Sequence, residues 1–286
     1  MISDITLGQF FPGNSPIHKL DPRTKIILAA LFIVSVFVAA NPVSFILLTL
    51  TTAILIFISR ISCRVILKSV KPIVFIVIFA AILNVFMTAG EGEPLLSFWI
   101  INIYKEGIIR AVMMALRVII LIIGTSILLT YTTSPISLTD GLESLLSPLK
   151  KIKLPVHTFA MMMSIALRFI PTLVEETEKI MNAQKSRGAD FTSGTLVQRA
   201  KALIPLLVPL FVSSFKRAEE LATAMECRCY RGDKNRTKLV KLEYHGRDFA
   251  YMTVFALILA GLIALAILSD NFTSSGIVFN ILFYKM

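Results

Sequence analysis

From Phe249 to Leu268 the chain carries no charged side chain, and no other feature limits its fold so sharply. A helix needs about 20 mostly apolar residues to cross a hydrocarbon layer roughly 30 Å thick. Inside that layer every backbone polar group must be bonded within the protein, so only helices or closed barrels are stable. An uncharged run of this length selects a helix. Three more runs read the same way: Val43–Ser59, Pro72–Thr88 with Asn84 as its polar interruption, and Gly107–Thr130 despite Arg110 and Arg117. Ile26–Ala40 is shorter, but Asn41-Pro42 closes it into a tight hairpin with the next run, which makes it the first of five expected spans. Only 16% of the 286 residues are charged, against roughly 25% in soluble proteins. The expected fold class is an all-α membrane protein.

Basic residues in the loops set the expected orientation. Lys19, Arg23 and Lys25 precede the first span, and Arg60, Arg64, Lys68 and Lys71 follow the second. The Asn41-Pro42 hairpin has none, while the loop near residue 91 sets Glu91, Glu93 and Glu106 against Lys105. Eighteen of the 29 basic residues fall between Tyr131 and Arg247. The pattern implies an N-terminus inside, a C-terminus outside, and four regions: 1–25 cytoplasmic, 26–130 with four spans, 131–247 cytoplasmic, and 248–286 with the last span and a short outer tail. Two apolar stretches inside the third region read as helices packed under the bundle. Val156–Val174 contains Arg168 and Pro171, and Leu203–Phe215 is thirteen residues long with Pro205 and Pro209, shorter than a span requires. Most of the net charge of +11 is accounted for by attraction to anionic membrane lipids and retention inside. Nucleic-acid binding is not expected of a segment tied between two spans.

The cytoplasmic region holds a weak internal repeat. One helix ends EETEKIMNAQKSRGADF, Glu175 to Phe191, and another ends RAEELATAMECRCYRGD, Arg217 to Asp233. With Arg187 set on Arg228, Glu178 falls on Glu219, Ile180 on Leu221 and Ala183 on Ala224. A cation at a helix C-terminus offsets the partial negative charge of the last carbonyls, and Gly188 is a natural stop. That explains one such end better than two with matched offsets. A guanidinium also offers a planar fork of donors suited to carboxylates and carbonyls of a partner. Small neighbours (Ser186 and Gly188; Cys227 and Cys229) would let each tip enter a groove. The pattern reads as two docking prongs, for two partner subunits or two faces of one dimer.

At these residues the sequence resembles the EcfT family, the transmembrane coupling component of energy-coupling factor (ECF) transporters, and is similar also to the CbiQ and BioN proteins. The resemblance rests on HKLDPRTK (His18 to Lys25), on Ser186-Arg187-Gly188 and Cys227-Arg228-Cys229 as two X-Arg-X signatures, and on RFIPTLVEETEKI and LIPLLVPLF around them. It spans roughly residues 7 to 268. It implies a non-catalytic subunit of an ABC-type importer in a prokaryotic cell membrane, with two long coupling helices crossing beneath the bilayer. Each arginine triplet would dock on one of two ATP-binding cassette ATPases, with Glu178, Ala183, Glu219 and Ala224 as supporting positions. A separate membrane S component would bind the vitamin or metal. Cysteines flank the second arginine where the family more often has Ala and Gly or Ser.

Arg110 and Arg117 lie seven residues apart on one face of the fourth span. Two readings stand for Arg117: a functional intramembrane charge, or a structural bond to carbonyls or to Asn84. No metal is expected, because zinc needs about four ligands and Cys227 and Cys229 have no second pair. Cys63 and these two are expected to be reduced thiols. No GxxxxGK[ST] or HExxH motif is present, so neither ATP hydrolysis nor zinc protease chemistry is expected here, and no cofactor. A stand-alone secondary transporter would carry its repeats and ionisable groups at mid-membrane. An integral-membrane enzyme would need a catalytic constellation that this sequence lacks.

Overall fold

Asp21-Pro22 starts the first helix. The Asp21 side chain accepts the Arg23 N–H at 2.8 Å, and a proline at the first helical position gives up a donor that has no partner there anyway. The computed structural model describes residues 10–39, 41–87, 96–98, 101–153, 155–191, 195–230, 232 and 242–274. The acidic residues Glu91 and Glu93, much of the basic stretch 231–241 and the tail beyond 274 lie outside these. The elements are α1 (Pro22–Val38), α2 (Pro42–Ser59), α3 (Cys63–Met87), a short antiparallel pair β1 (Leu96–Phe98) and β2 (Ile101–Ile103), α4 (Lys105–Thr125) running into a π-helical turn (Ser126–Tyr131), α5 (Pro135–Leu145), a 3-10 turn (Ser147–Ile152), α6 (Val156–Ser186), α7 (Leu196–Cys227) and α8 (Gly246–Ser274). The chain is an all-α membrane protein in architecture, with one two-stranded hairpin among the described residues.

The helices divide into two compact units, one of Phe10–Gly141 with α8, the other within Leu142–Lys241. In the first, α1 is the central helix, packed against α4, the π turn and α8. Leu28, Phe32 and Val36 of α1, Leu48 of α2, Ile127 and Leu128 of the π turn and Leu262 of α8 are almost fully buried. Gly124 of α4 sits against the Phe32 ring, where an added Cβ would lie 2.1 Å from a ring carbon. Small residues permit such close approach where helices pack within lipid. Ser35, Thr51 and Thr52 bond back to carbonyls of their own helices, Thr52 to Leu48 at 2.8 Å, which pairs these hydroxyls within an apolar layer. The buried Thr24 and Ser44 hydroxyls have no partner among the described residues. Outward faces are apolar, with Phe57, Phe75 and Leu257 exposed.

Six helical segments are long and apolar enough to cross a membrane by length and composition: α2, α3, α4 with its π turn, α6, α7 and α8. α1, at 17 residues, lies at the lower end of the usual range. α6 and α7 have the lowest mean hydropathy of the six. The thirteen-residue stretch Leu203–Phe215 is the apolar middle of a 32-residue helix, because charged and small residues extend it at both ends. α3 likewise begins at Cys63, nine residues before the apolar run at Pro72.

Candidate functional site

The second unit is built on α6 and α7, and these two helices stop in the same way. Arg187 is the C-cap of α6 with φ −90° and ψ 7°, and Arg228 is the C-cap of α7 with φ −89° and ψ 13°. The next residue is left-handed in both, Gly188 at φ 86° and Cys229 at φ 56°. The Ala189 N–H donates to the Gln184 carbonyl at 3.0 Å and the Gly188 N–H to Lys185 at 2.9 Å. In α7 the Tyr230 N–H donates to Met225 at 3.0 Å and the Cys229 N–H to Glu226 at 2.8 Å. Both are Schellman closures, which satisfy carbonyls that a helix end otherwise leaves open. The X-Arg-X spacing thus has a backbone cause: the third residue occupies the left-handed position, where a Cβ is unfavourable.

The matched ends point opposite ways along the helix pair. Arg217 donates to a Glu176 oxygen at 3.0 Å, and the Ser213 hydroxyl donates to the other. The Tyr230 hydroxyl donates to Met161 Sδ at 3.2 Å. Residue numbers across the contact therefore sum to a near-constant value, as in antiparallel neighbours. Glu176 and Arg217 also stand at equivalent positions in the repeat, each eleven residues before its arginine. The two helices thus meet, antiparallel, at one pair of equivalent residues. At 1.5 Å per residue each tip lies about 16 Å along its helix from the Glu176–Arg217 contact, so the two are roughly 30 Å apart when measured along an antiparallel pair.

Arg187 and Arg228 are exposed, and among the described residues neither guanidinium has a hydrogen-bond or ion-pair partner. Ser186, Gly188, Cys227 and Cys229 are exposed beside them, as are Ala183, Glu219 and Ala224, while Glu178 is half-buried. Ser186 back-bonds to the Asn182 carbonyl at 3.1 Å. Cys227 and Cys229 are free thiols. Among the described residues no three His, Cys, Asp or Glu side chains converge as a metal site would require.

Comparison with known proteins gives the family. The CbiQ family, described as cobalt transport protein, matches residues 13–239. A relative in Clostridium kluyveri, named energy-coupling factor transporter transmembrane protein EcfT, is 55% identical over 249 residues, covering 87% of this chain and 92% of the relative. The proteins of the same name in Ruminiclostridium cellulolyticum and Bacillus subtilis are 56% identical over 244 residues and 49% over 263, covering 85% and 92% of this chain and 90% and 98% of the relatives. The chain belongs to the EcfT/CbiQ family. It is a multi-pass membrane component of a bacterial ECF-type transporter.

In this EcfT-family chain the N-terminal motif does something that the sequence did not reveal. Asp21 and Lys25 of HKLDPRTK are the buried part of a polar clamp within the first unit, with His18 and Arg23 half-buried at its edge and Lys19 exposed. The Asp248 carboxylate, at the start of α8, accepts the Asp21 N–H at 2.9 Å and the His245 N–H at 2.8 Å. Lys25, 2% exposed, donates to the Thr132 carbonyl at 2.7 Å and the His18 carbonyl at 3.2 Å. Arg23 lies 5.3 Å over the Tyr244 ring. His18 Nδ1 meets the Ser15 hydroxyl at 2.6 Å and Nε2 meets the Phe11 carbonyl at 2.9 Å. Burial, with Lys25 nearby, holds the His18 imidazole below its usual pKa against the opposing pull of the Phe11 carbonyl. Arg117 resolves to its structural reading. It donates to the Ala39 carbonyl at 2.8 Å, at the end of α1, and lies 5.3 Å over the Phe45 ring. Asn84 bonds instead to the Ala80 carbonyl and Met114.

Proposed function

We propose that this chain transmits ATP-driven motion from two ATP-binding cassette ATPase subunits to a separate substrate-binding membrane subunit. Arg187 and Arg228 are the docking tips, flanked by Ser186, Gly188, Cys227 and Cys229. The module between residues 131 and 247 lies on the cytoplasmic side, with the N-terminus inside. One observation carries the reading: two like helices meet at equivalent residues and end in the same closure, each with an arginine that has no partner among the described residues. Two like tips facing opposite ways suit a pair of like subunits, and the chemistry on each partner is a carboxylate or carbonyl groove that accepts a guanidinium fork. Because Glu176, Ser213 and Arg217 tie the helices together, displacement of one tip moves the pair as a lever and carries the motion towards the membrane. ATP hydrolysis takes place in the partners, since this chain has no phosphate-binding loop.

The test is co-purification of the ATPases with wild-type protein and with the Arg187→Glu/Arg228→Glu variant, alongside ATP-dependent uptake in proteoliposomes. Truncating a buried, hydrogen-bonded interfacial charge costs about 2–5 kcal/mol. The double variant is expected to lose the ATPases and uptake. Single variants retain part of both, because two tips hold one assembly. Equal ATPase retention by wild type and double variant would overturn the docking role.

A further inference from the structure

The first half of α3 carries a second set of cations without partners among the described residues, and their register with the rest of the helix is informative. Ile66 and Val70 are buried at 5% and 9% exposure, and Ser69 between them receives the Tyr131 hydroxyl. That face is fixed against the bundle. At 100° per residue Arg64, Lys68 and Lys71 lie on the opposite face, and all three are exposed. The same stripe continues without a break as Phe75, Ile82 and Phe86, exposed by 78%, 47% and 50%. One outward line along α3 is therefore cationic at its start and apolar thereafter.

Nothing within the chain neutralises this line among the described residues. Arg64, Lys68 and Lys71 have no hydrogen-bond or ion-pair partner there, and the sequence has no Asp or Glu from Pro22 to Gly90. Retention on one side of a membrane needs basic residues anywhere in a loop, with no demand on helical register. The dimensions favour a more particular occupant. Phe75 to Phe86 covers about 16 Å of helix, close to half of a hydrocarbon core of about 30 Å. Arg64 to Lys71 covers about 10 Å beyond it, where long basic side chains reach headgroups.

We propose that this stripe seats an anionic phospholipid, its phosphate held by Arg64, Lys68 and Lys71 and its acyl chains along Phe75, Ile82 and Phe86. Charge complementarity selects the headgroup, and the apolar continuation selects an intact lipid over a free phosphate. The site is separate from the arginine tips and does not depend on the docking proposal.

The experiment compares retention of phosphatidylglycerol and phosphatidylcholine by the purified full-length chain, using native mass spectrometry and thermal midpoints during lipid titration. Wild type is expected to prefer phosphatidylglycerol at least tenfold. Arg64→Gln/Lys68→Gln/Lys71→Gln is expected to reduce this below twofold, with helical content unchanged by circular dichroism. A charge-matched control, Lys151→Gln/Lys153→Gln/Arg199→Gln, keeps the preference. Should the triple variant not fold, Lys68→Gln and Lys71→Gln alone each lower the preference about threefold. An unchanged preference in these variants, or an equal loss in the control, overturns the site. So does binding of glycerophosphoglycerol, which has no acyl chains, as tightly as the intact lipid. Loss of a co-purifying membrane protein with the lipid preference intact would assign the stripe to that protein and reject the lipid.

Discussion

Two charged motifs in this chain are treated in opposite ways by the fold. In HKLDPRTK the Asp21 and Lys25 charges turn inward while Lys19 stays exposed. The buried ones find partners in the same unit, with Lys25 on two carbonyls and Asp248 on two N–H groups beside it. At the ends of α6 and α7 the arginines are exposed and unpartnered among the described residues. Burial explains the contrast, since a charge taken from water must be compensated locally, whereas an exposed guanidinium keeps its donors for another molecule. A clamp built this way serves stability, and under the proposed docking role tips built this way serve association. The sharpest way to break that distinction is to remove charge at each place and compare melting. Asp248→Ala leaves the Asp21 and His245 N–H groups unpaired and removes a neighbouring carboxylate from buried Lys25, which is expected to cost about 3 kcal/mol. Arg187→Ala/Arg228→Ala is expected to cost less than about 1 kcal/mol per helix end, the scale of a terminal charge–dipole interaction. Equal losses of thermal stability in detergent would reject the contrast.

Within the tips the closures themselves can be separated from the arginines. Gly188 and Cys229 occupy the same left-handed position with different side chains, so one substitution at each has opposite sign. Gly188→Ala adds a Cβ that meets nothing within 4 Å, and its expected cost of about 1 kcal/mol is backbone strain alone. Cys229→Gly relieves the corresponding strain and is expected to stabilise α7 by several tenths of a kcal/mol up to about 1. Melting curves of the two variants read this directly. A loss of stability in Cys229→Gly would mean that the thiol has a packing role at that end.

The sequence was legible where the physics is local. Hydropathy located α2, α4 and α8 to within a few residues, and Gly188 marked its stop because left-handed backbone favours glycine. Cys229 gave no such sign, although its backbone does the same thing. The start of α3 was missed because Arg64, Lys68 and Lys71 dilute the apolar run without breaking the helix. The π turn at Ser126–Tyr131 has no composition of its own. Asp248 was illegible for another reason: its partner Asp21 is 227 positions away in the chain, and no periodicity reports such a contact. Arg117 left two readings open, and only the Ala39 carbonyl decides between them. Glu176 and Arg217 are the instructive case. Their equal offset and opposite charge were present in the repeat, but an ion pair across equivalent positions follows only if the helices are antiparallel.

That pair supplies a smaller test. Glu176 and Arg217 are partly exposed, with side-chain accessibilities of 22% and 37%, so their coupling is expected to be under about 1 kcal/mol. Arg217→Glu should weaken the crossing and reduce ATP-dependent uptake more than it reduces ATPase retention, because the tips stay intact while the lever between them loosens. Exchange of the charges, Glu176→Arg with Arg217→Glu, should recover part of the uptake. No recovery would indicate that Ser213 and apolar contacts, rather than the ion pair, join the helices.

The smallest expected effect belongs to His18 and returns to the clamp. Its neutral ring can donate from Nε2 to the Phe11 carbonyl and accept at Nδ1 from the Ser15 hydroxyl, whereas a second ring proton would remove that acceptor and place charge near Lys25. Burial lowers the folded-state pKa below 6.5, the ordinary value that applies once the chain unfolds. Between the two values the unfolded chain binds more protons, so stability rises with pH across that window. Conversely, the contribution is complete above about pH 6.5 and is lost as the pH falls from there towards the lowered folded value. Thermal midpoints of the wild type should therefore fall on acidification below pH 6.5, and His18→Gln should flatten that part of the profile. If the slope is the same in both proteins, proton uptake elsewhere controls acid stability, and the clamp tolerates a charged imidazole at its edge.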